Sequence, residues 1–244
     1  MFTGIGTAIN IVTILVGGSL GVFIGNRISA KLRVLILDAL GCITIISAAD
    51  ALIDFWNPKF QNSLPSGWPL LVVVFSLVIG AIVGTFLKLE ERLEKFGDRL
   101  RIKFSHSGDS GFIEGFVTSS LIFVIGPLAI LGSISDGMGT GIDQLVLKST
   151  LDGFAALAFA ATFGWGVALS SIPVGIYQFS WTAVGVFLGS ILDEYQILAM
   201  TCVGGILLIG ISLRLLKIKV IEIGNLLPAL ALAPLIASFA HQLI

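Results

Sequence analysis

The chain has 244 residues, of which 56% are hydrophobic and only 12% are charged, with a mean hydropathy of +1.03 and a net charge of -1. This composition excludes an ordinary soluble domain, and repeated apolar runs of about 20 residues predict helices that cross a lipid bilayer. Cys42 and Cys202 both fall inside such runs and predict neither a disulfide framework nor a metal site. We therefore expect an all-α, polytopic transmembrane helix bundle.

Apolar runs and turn residues predict about eight spans within one integral membrane domain, residues 1–244. The first span carries glycines four residues apart, which let helices in lipid approach closely and would also permit a homodimer. The least distinct junction is the reversal between the fifth and sixth spans, placed near Ser170–Pro173 by its turn residues. The predicted spans cover residues 3–25, 35–55, 69–87, 112–134, 145–170, 173–192, 197–216 and 223–244.

The one long hydrophilic segment, residues 88–111, predicts an amphipathic helix on the membrane surface. Leu89, Leu93, Phe96 and Leu100 recur at helical spacing among acidic and basic side chains that nearly balance. Balanced charges usually solvate one face of a helix, so the segment is interpreted as a cytoplasmic connector. The alternative is that it binds a partner.

The basic residues predict the orientation of the chain. With eight spans, 12 of the 14 Lys and Arg residues fall in loops on one side, and only Lys59 and Lys148 fall on the other. By the positive-inside rule, residues 88–111 are then cytoplasmic and both termini are outside.

A partial internal repeat relates spans 1–2 to spans 6–7. Residues 21–25 (GVFIG) match residues 185–189 (GVFLG), and the alignment continues without a gap into the following span. An odd number of crossings separates the two copies, so they would have opposite orientations. Inverted repeats of this kind provide alternative access states in secondary transporters. The competing interpretation is that glycine-rich helices simply resemble one another.

Two Ser-x-x-Asp-Gly units supply the candidate functional residues. Carboxylates are unfavourable at membrane depth, so Asp136 and Asp152 are functional candidates. Ser133 and Ser149 precede them by three residues and share a helix face with them, so that each pair could bind a cation, a proton or a polar solute. The alternative is that both aspartates cap helix ends at the outer interface.

A helix break and several isolated polar residues complete the candidate set. Gly126-Pro127 interrupts the fourth span and would free backbone carbonyls beside protein or a polar cavity, unless it is only a structural kink. Glu114 is most simply a helix N-terminal acid favoured by the macrodipole. Lys148 could pair with an acid or extend to the interface. The polar groups that could join the site or only link helices are Asn10, Tyr177, Gln178 and Asn225.

The sequence contains no nucleotide-binding loop, metal-ligand spacing or nucleophile–base pair, and His106 and His241 lie near a loop and a terminus. We therefore expect no enzyme activity, no cofactor and no nucleic-acid partner. The identity of any bound metal is left open.

The most distinctive stretch of the chain is GPLAILGSISDG at residues 126–137. Further distinctive stretches are residues 114–118, 148–153, 172–174, 177–178 and 225–230. Together they resemble the YdfK/YqgA family of bacterial multi-pass membrane proteins, which carries a label of unknown function. The resemblance covers nearly the whole chain and implies a protein of the bacterial cytoplasmic membrane, without an assigned activity. Residues 152–156 are also similar to acid motifs of small-cation exporters.

The leading hypothesis is a transporter or ion-permeation protein for a small solute, with a cation as the first candidate. Asp136 and Asp152 would bind the cation or carry a coupling proton, and Ser133 and Ser149 would complete its oxygen shell. Gly126-Pro127 would open the backbone there. The alternative is a non-transporting scaffold or sensor that acts through the cytoplasmic segment.

Overall fold

The computed structural model of the protein describes residues 3–25, 29–104, 111–125, 127–188 and 192–243. Every regular element in these ranges is helical, which confirms the all-α prediction. The α-helices are α1 (Ile5–Gly25), α2 (Ala30–Ile53), α3 (Pro58–Asn62), α4 (Trp68–Leu87), α5 (Leu89–Phe104), α6 (Phe112–Val124), α7 (Pro127–Met138), α8 (Asp143–Phe163), α9 (Trp165–Leu169), α10 (Ser171–Leu188), α11 (Glu194–Leu215) and α12 (Pro228–His241). Two 3-10 turns occupy Asp54–Trp56 and Ile223–Leu226.

Six segments of the described part are long and apolar enough to cross a membrane, and a seventh is obtained if α6 and α7 count as one bent span. The six segments are Ile5–Gly25, Val34–Trp56, Trp68–Leu87, Asp143–Phe163, Glu194–Leu215 and Ile223–His241. The eight-span count is therefore not confirmed. Helix α10, which corresponds to the predicted sixth span, is not among the six.

The fourth predicted span consists of two helices rather than one. Helix α6 ends at Val124, α7 begins at Pro127, and the two helices are bent by 61° relative to each other. Proline has no amide hydrogen and a fixed φ, so it suits the first turn of a helix but not its interior. The predicted interruption is thus present, although Gly126 itself lies outside the described residues.

Two predicted boundaries are corrected by the structure. The predicted loop between the second and third spans contains the short helix α3, because the side chain of Asn57 accepts a hydrogen bond from the backbone nitrogen of Lys59 at 3.0 Å and caps the helix. The predicted reversal near residue 170 begins earlier. Gly164 adopts a φ of 78° and ends α8, and α9 precedes the start of α10 at Ser171.

The chain divides into two compact units. Unit 1 comprises Met1–Ala39, Leu93–Val124 and Leu128–Ser190, and unit 2 comprises Leu40–Arg92, Ile125–Pro127 and Ile191–Ile244. This division does not test whether the whole chain forms a single membrane domain, so that expectation stays a prediction.

In unit 1, α1 and α8 approach each other at backbone distance. Gly17, Gly21 and Gly25 lie four residues apart on α1. The backbone carbonyls that face them belong to Gly153, Leu157 and Ala161 of α8. A Cβ atom at any of the three α1 positions would overlap a carbonyl oxygen, so the approach requires glycine. This packing holds the polar positions of α1 against α8.

Unit 2 contains a similar close approach between α4 and the segment that leads into α12. Gly80 packs against Ala229, and Gly84 packs against the carbonyl of Asn225. Because a side chain at Gly84 would overlap that carbonyl, the turn Ile223–Leu226 is held directly on α4.

Candidate functional site

Four buried polar side chains of unit 1 form what we call the Asp152 cluster. Asp152 Oδ2 accepts hydrogen bonds from Lys148 Nζ at 2.6 Å and from Asn10 Nδ2 at 3.0 Å. The same Asn10 nitrogen donates to Gln178 Oε1 at 3.1 Å. None of the four residues is more than 7% exposed. Helices α1, α8 and α10 therefore bring together three residues predicted as site candidates and the lysine that precedes the second Ser-x-x-Asp-Gly unit.

Helix geometry accounts for the ion pair in this cluster. Lys148 and Asp152 are four residues apart on α8 and so project from the same face. Their side chains are only 7% and 10% exposed, and a buried charge is strongly unfavourable unless it is paired. Of the two interpretations of Lys148, pairing with an acid is the one that the structure shows.

The hydrogen-bonding capacity of the Asp152 cluster is only partly used. Asn10 Oδ1 and Gln178 Nε2 are buried and accept or donate no hydrogen bond within the described part of the chain. The Asn10 amide cannot simply be turned over, because its nitrogen already faces two acceptor oxygens. An unpaired buried polar atom costs about 1–3 kcal/mol, so a polar partner, either a water molecule or a solute, is expected at these two atoms. The buried hydroxyls of Thr118, Ser119 and Thr162 are likewise unpaired among the described residues.

Asp136 binds the N-terminus of α1. Its Oδ1 accepts a hydrogen bond from the backbone nitrogen of Gly4 at 3.1 Å, and its Oδ2 accepts one from the nitrogen of Gly6 at 3.0 Å. The first amides of a helix lack intrahelical acceptors and carry partial positive charge, which compensates a carboxylate without a cation. The capping interpretation therefore describes this contact, but the capped helix is α1 rather than α7. Gly6 and Asn10 are one turn apart, so Asp136 and Asp152 contact successive turns of α1.

The two predicted serines donate to their own helices. Ser133 Oγ donates to the carbonyl of Ala129 at 2.7 Å, and Ser149 Oγ donates to the carbonyl of Leu145 at 2.5 Å. Such bonds to the carbonyl four residues earlier are common for serine in helices. Both serines are buried, but no hydrogen bond among the described residues joins either one to Asp136 or Asp152. The role of the two serines in the oxygen shell of a bound cation stays a prediction.

The remaining candidates of unit 1 have less direct relations to the cluster. Glu114 lies in the first turn of α6, where the macrodipole favours an acid, as expected. The ring of Tyr177 packs edge-on against Trp181, with centroids 6.3 Å apart. Pro127 begins α7. A contact that the sequence analysis missed joins the hydroxyls of Thr7 and Thr182 at 3.4 Å, beside the cluster on α1 and α10.

A second buried group, the Glu90 cluster of unit 2, was not predicted. Glu90 accepts from Arg214 Nη1 and from the backbone nitrogen of Gly224, both at 2.6 Å. The backbone nitrogen of Glu90 donates to Asn225 Oδ1 at 3.1 Å, and Asn225 Nδ2 donates to Glu222 Oε2 at 2.6 Å. Asn225 therefore belongs to this fully bonded cluster and not to the Asp152 cluster. The sequence signal was Arg214, a cation at the end of the predicted seventh span.

No group of three or more His, Cys, Asp or Glu side chains arranged to hold a metal ion exists among the residues that the structure describes. Any cation at the Asp152 cluster would therefore use the single Asp152 carboxylate together with neutral oxygen atoms such as Asn10 Oδ1.

Comparisons with known proteins agree with the resemblance found in the sequence. A family model described as "Protein of unknown function (DUF554)" matches residues 5–238. The uncharacterized membrane protein YdfK of Bacillus subtilis (strain 168) is 30% identical over 236 residues, which cover 97% of this chain and 96% of that protein. The uncharacterized protein YqgA of Escherichia coli (strain K12) is 28% identical over 240 residues, which cover 96% and 97%, respectively. No solved structure matches significantly. With its apolar helices and these relatives, the chain is a multi-pass membrane protein that belongs to the DUF554 family.

Proposed function

We propose that this protein is a transporter or ion-permeation protein for a small solute that presents a positive charge to Asp152, a simple cation being the minimal case. The observation that carries the proposal is a buried carboxylate beside two buried polar atoms that have no hydrogen-bond partner in the described part of the chain. Ionisable residues inside membrane segments usually mark solute or proton pathways, because their burial is otherwise too unfavourable to persist.

The two aspartates have different roles in this proposal. Asp152 binds the solute, because its Oδ1 receives no hydrogen bond from any described residue and remains available. Asp136 has both oxygens bonded to backbone amides of α1. It is a positioning residue, which holds the start of α1 and thereby Asn10, one turn beyond Gly6, at the site.

Lys148 keeps the site neutral when no solute is bound. Its ammonium lies 2.6 Å from Asp152 Oδ2, so an arriving positive group must share the carboxylate with it or displace it. The four-carbon side chain of lysine allows such a displacement without any movement of the helix.

The test is solute flux into proteoliposomes that contain the purified protein. Asp152→Asn is expected to abolish flux, but it leaves the Lys148 ammonium buried without a counterion and so could also impair folding. The variant that combines Lys148→Met with Asp152→Asn removes both charges, and we expect it to fold while remaining inactive.

The control for this experiment is Glu194→Gln, which breaks the ion pair of Lys59 with Glu194. That pair is 2.7 Å long, and its side chains are 66% and 57% exposed, so its loss should change neither stability nor flux measurably. Wild-type flux in the doubly neutral variant would remove Asp152 from the mechanism.

The scaffold or sensor alternative has less support. The ring of Phe96 on α5 packs edge-on against Phe116 of α6, with centroids 5.9 Å apart, and Gly97 abuts the same ring. Phe96, from the apolar side of α5, thus packs within unit 1. A scaffold would lose its partner when the exposed charges Arg92 and Arg99 are neutralised, whereas a transporter would keep its flux.

A further inference from the structure

We propose that the solute of the Asp152 cluster is a small zwitterion, a molecule that carries one ammonium and one carboxylate group, of the size of glycine or alanine. This inference rests on the proposed function and narrows its substrate class. It follows from the charge balance and from the unused hydrogen-bonding atoms of the cluster.

The charge balance favours a solute with no net charge. Lys148 and Asp152 neutralise each other, and Asp136 is compensated by the amides at the start of α1. A lone cation would leave an extra positive charge beside Lys148, and a lone anion would leave an extra negative charge beside Asp152. Uncompensated charge in such a buried place is strongly unfavourable. A zwitterion replaces the one internal ion pair by two, and the total charge stays the same.

The unused hydrogen-bonding atoms match the two ends of a zwitterion. Asn10 Oδ1 and Asp152 Oδ1 are acceptors without a partner among the described residues, and an ammonium group has only donors. Gln178 Nε2 is a buried donor without a partner, and the Lys148 ammonium makes a single hydrogen bond within the same ranges. A carboxylate has only acceptors and suits these two groups. A metal cation would use the oxygens but leave Gln178 Nε2 unpaired.

The packing of the cluster limits the size of the solute. The side chains are in direct hydrogen-bond contact, and Asn10 and Gln178 are each 0% exposed. A solute can therefore reach Asp152 only if the Lys148 ammonium separates from it, which would place the solute between one cation and one anion on the same face of α8. We expect a molecule with its two charges a few bonds apart to meet this requirement.

The first experiment measures thermal stabilisation of the purified wild-type protein and entry of labelled probes into proteoliposomes. The probes are glycine, methylammonium chloride as its ammonium half, sodium acetate as its carboxylate half, and sodium chloride at matched ionic strength. We expect glycine alone to raise the unfolding temperature and to be transported, because a ligand that binds only the folded state stabilises it. Equal stabilisation by methylammonium or sodium overturns this inference and leaves the proposed function standing. If no probe binds or moves, both are overturned.

The second experiment tests whether replacing Lys148 changes the preferred ligand of the site from glycine to methylammonium. Lys148→Met removes the positive charge that receives the carboxylate, so Asp152 alone should now bind methylammonium and reject glycine, with a change of at least about tenfold in each affinity. Gln178→Met removes one donor and should weaken glycine binding about tenfold without admitting methylammonium. If Lys148→Met does not fold, the glycine affinity of Gln178→Met tests the inference by itself.

The matched control is Gln196→Met in unit 2. Gln196 is also a buried glutamine, but its Oε1 accepts from the backbone nitrogen of Asp193 and its Nε2 donates to Ser238 Oγ. This variant should lose stability and keep its response to glycine. Unchanged glycine binding in Gln178→Met, or equal weakening in Gln196→Met, overturns the assignment.

Discussion

Replacement of Asp136 separates the two functions that a buried aspartate could have in this protein. The structure gives it two hydrogen bonds from the backbone amides of Gly4 and Gly6, at 3.1 and 3.0 Å. Hydrogen bonds to a charged acceptor contribute about 1.5–3 kcal/mol each, so Asp136→Ala should lower the free energy of unfolding by about 3–6 kcal/mol. Asp136→Asn keeps one acceptor oxygen and loses the charge and one bond, so we expect a loss of about 2–4 kcal/mol.

The same two variants should differ from a solute-binding mutant in their transport. If Asp136 only positions α1, Asp136→Asn reduces solute affinity through Asn10 but leaves measurable flux. If the carboxylate binds the solute directly, flux disappears while stability changes little. The assay combines unfolding in detergent, proteoliposome flux, and hydrogen exchange at the amides of Gly4 and Gly6, whose protection should fall in both variants. Stability within about 0.5 kcal/mol of wild type, together with unchanged exchange, would refute the capping function.

Three further predictions follow from the packing and the buried contacts. Glu90→Gln should destabilise the protein by about 3–5 kcal/mol, because Arg214 stays buried without its partner; adding Arg214→Met should recover part of the loss in a denaturation assay. Gly21→Leu should cost about 3 kcal/mol by forcing α1 away from α8, whereas Phe23→Leu, at a position that is 64% exposed, should leave the unfolding temperature nearly unchanged. Asn10→Leu should lower stability by about 1–3 kcal/mol and abolish solute-induced stabilisation, and an intact response would exclude Asn10 from the site.

The helices were predictable wherever an apolar run is bounded by charges or by proline. The predicted third span, residues 69–87, differs from α4 (Trp68–Leu87) by one residue, and the predicted first span ends with α1 at Gly25. The interruption at Gly126-Pro127 was predictable from the chemistry of proline alone. These features depend on neighbours in the sequence, so one sequence suffices to predict them.

Tertiary partners were much less predictable. The amides that bind Asp136 lie more than 100 residues away along the chain, and no spacing in the sequence points to them. Ser133 and Ser149 share the helix faces expected for them, but each donates to its own helix, a local competitor that a spacing argument ignores. Glu90 lies in a segment of balanced charges that predicts exposure, and its pairing with Arg214 overrides that pattern.

Incomplete hydrogen bonding, rather than burial or charge, distinguishes the candidate site. Within the described residues, Asp136, Glu90 and Asp152 are all carboxylates with less than 9% exposure. Both oxygens of Asp136 and of Glu90 accept hydrogen bonds from the protein, so neither requires anything further. Both hydrogen bonds to Asp152 are accepted by one oxygen, Oδ2. Nearby, Asn10 has an unpaired acceptor and Gln178 has an unpaired donor. Unpaired polar atoms are costly when they are buried, so stability alone would favour apolar side chains at these positions. A visiting polar solute would supply the missing partners, and for this reason we propose that the function resides at the least satisfied of the three acids.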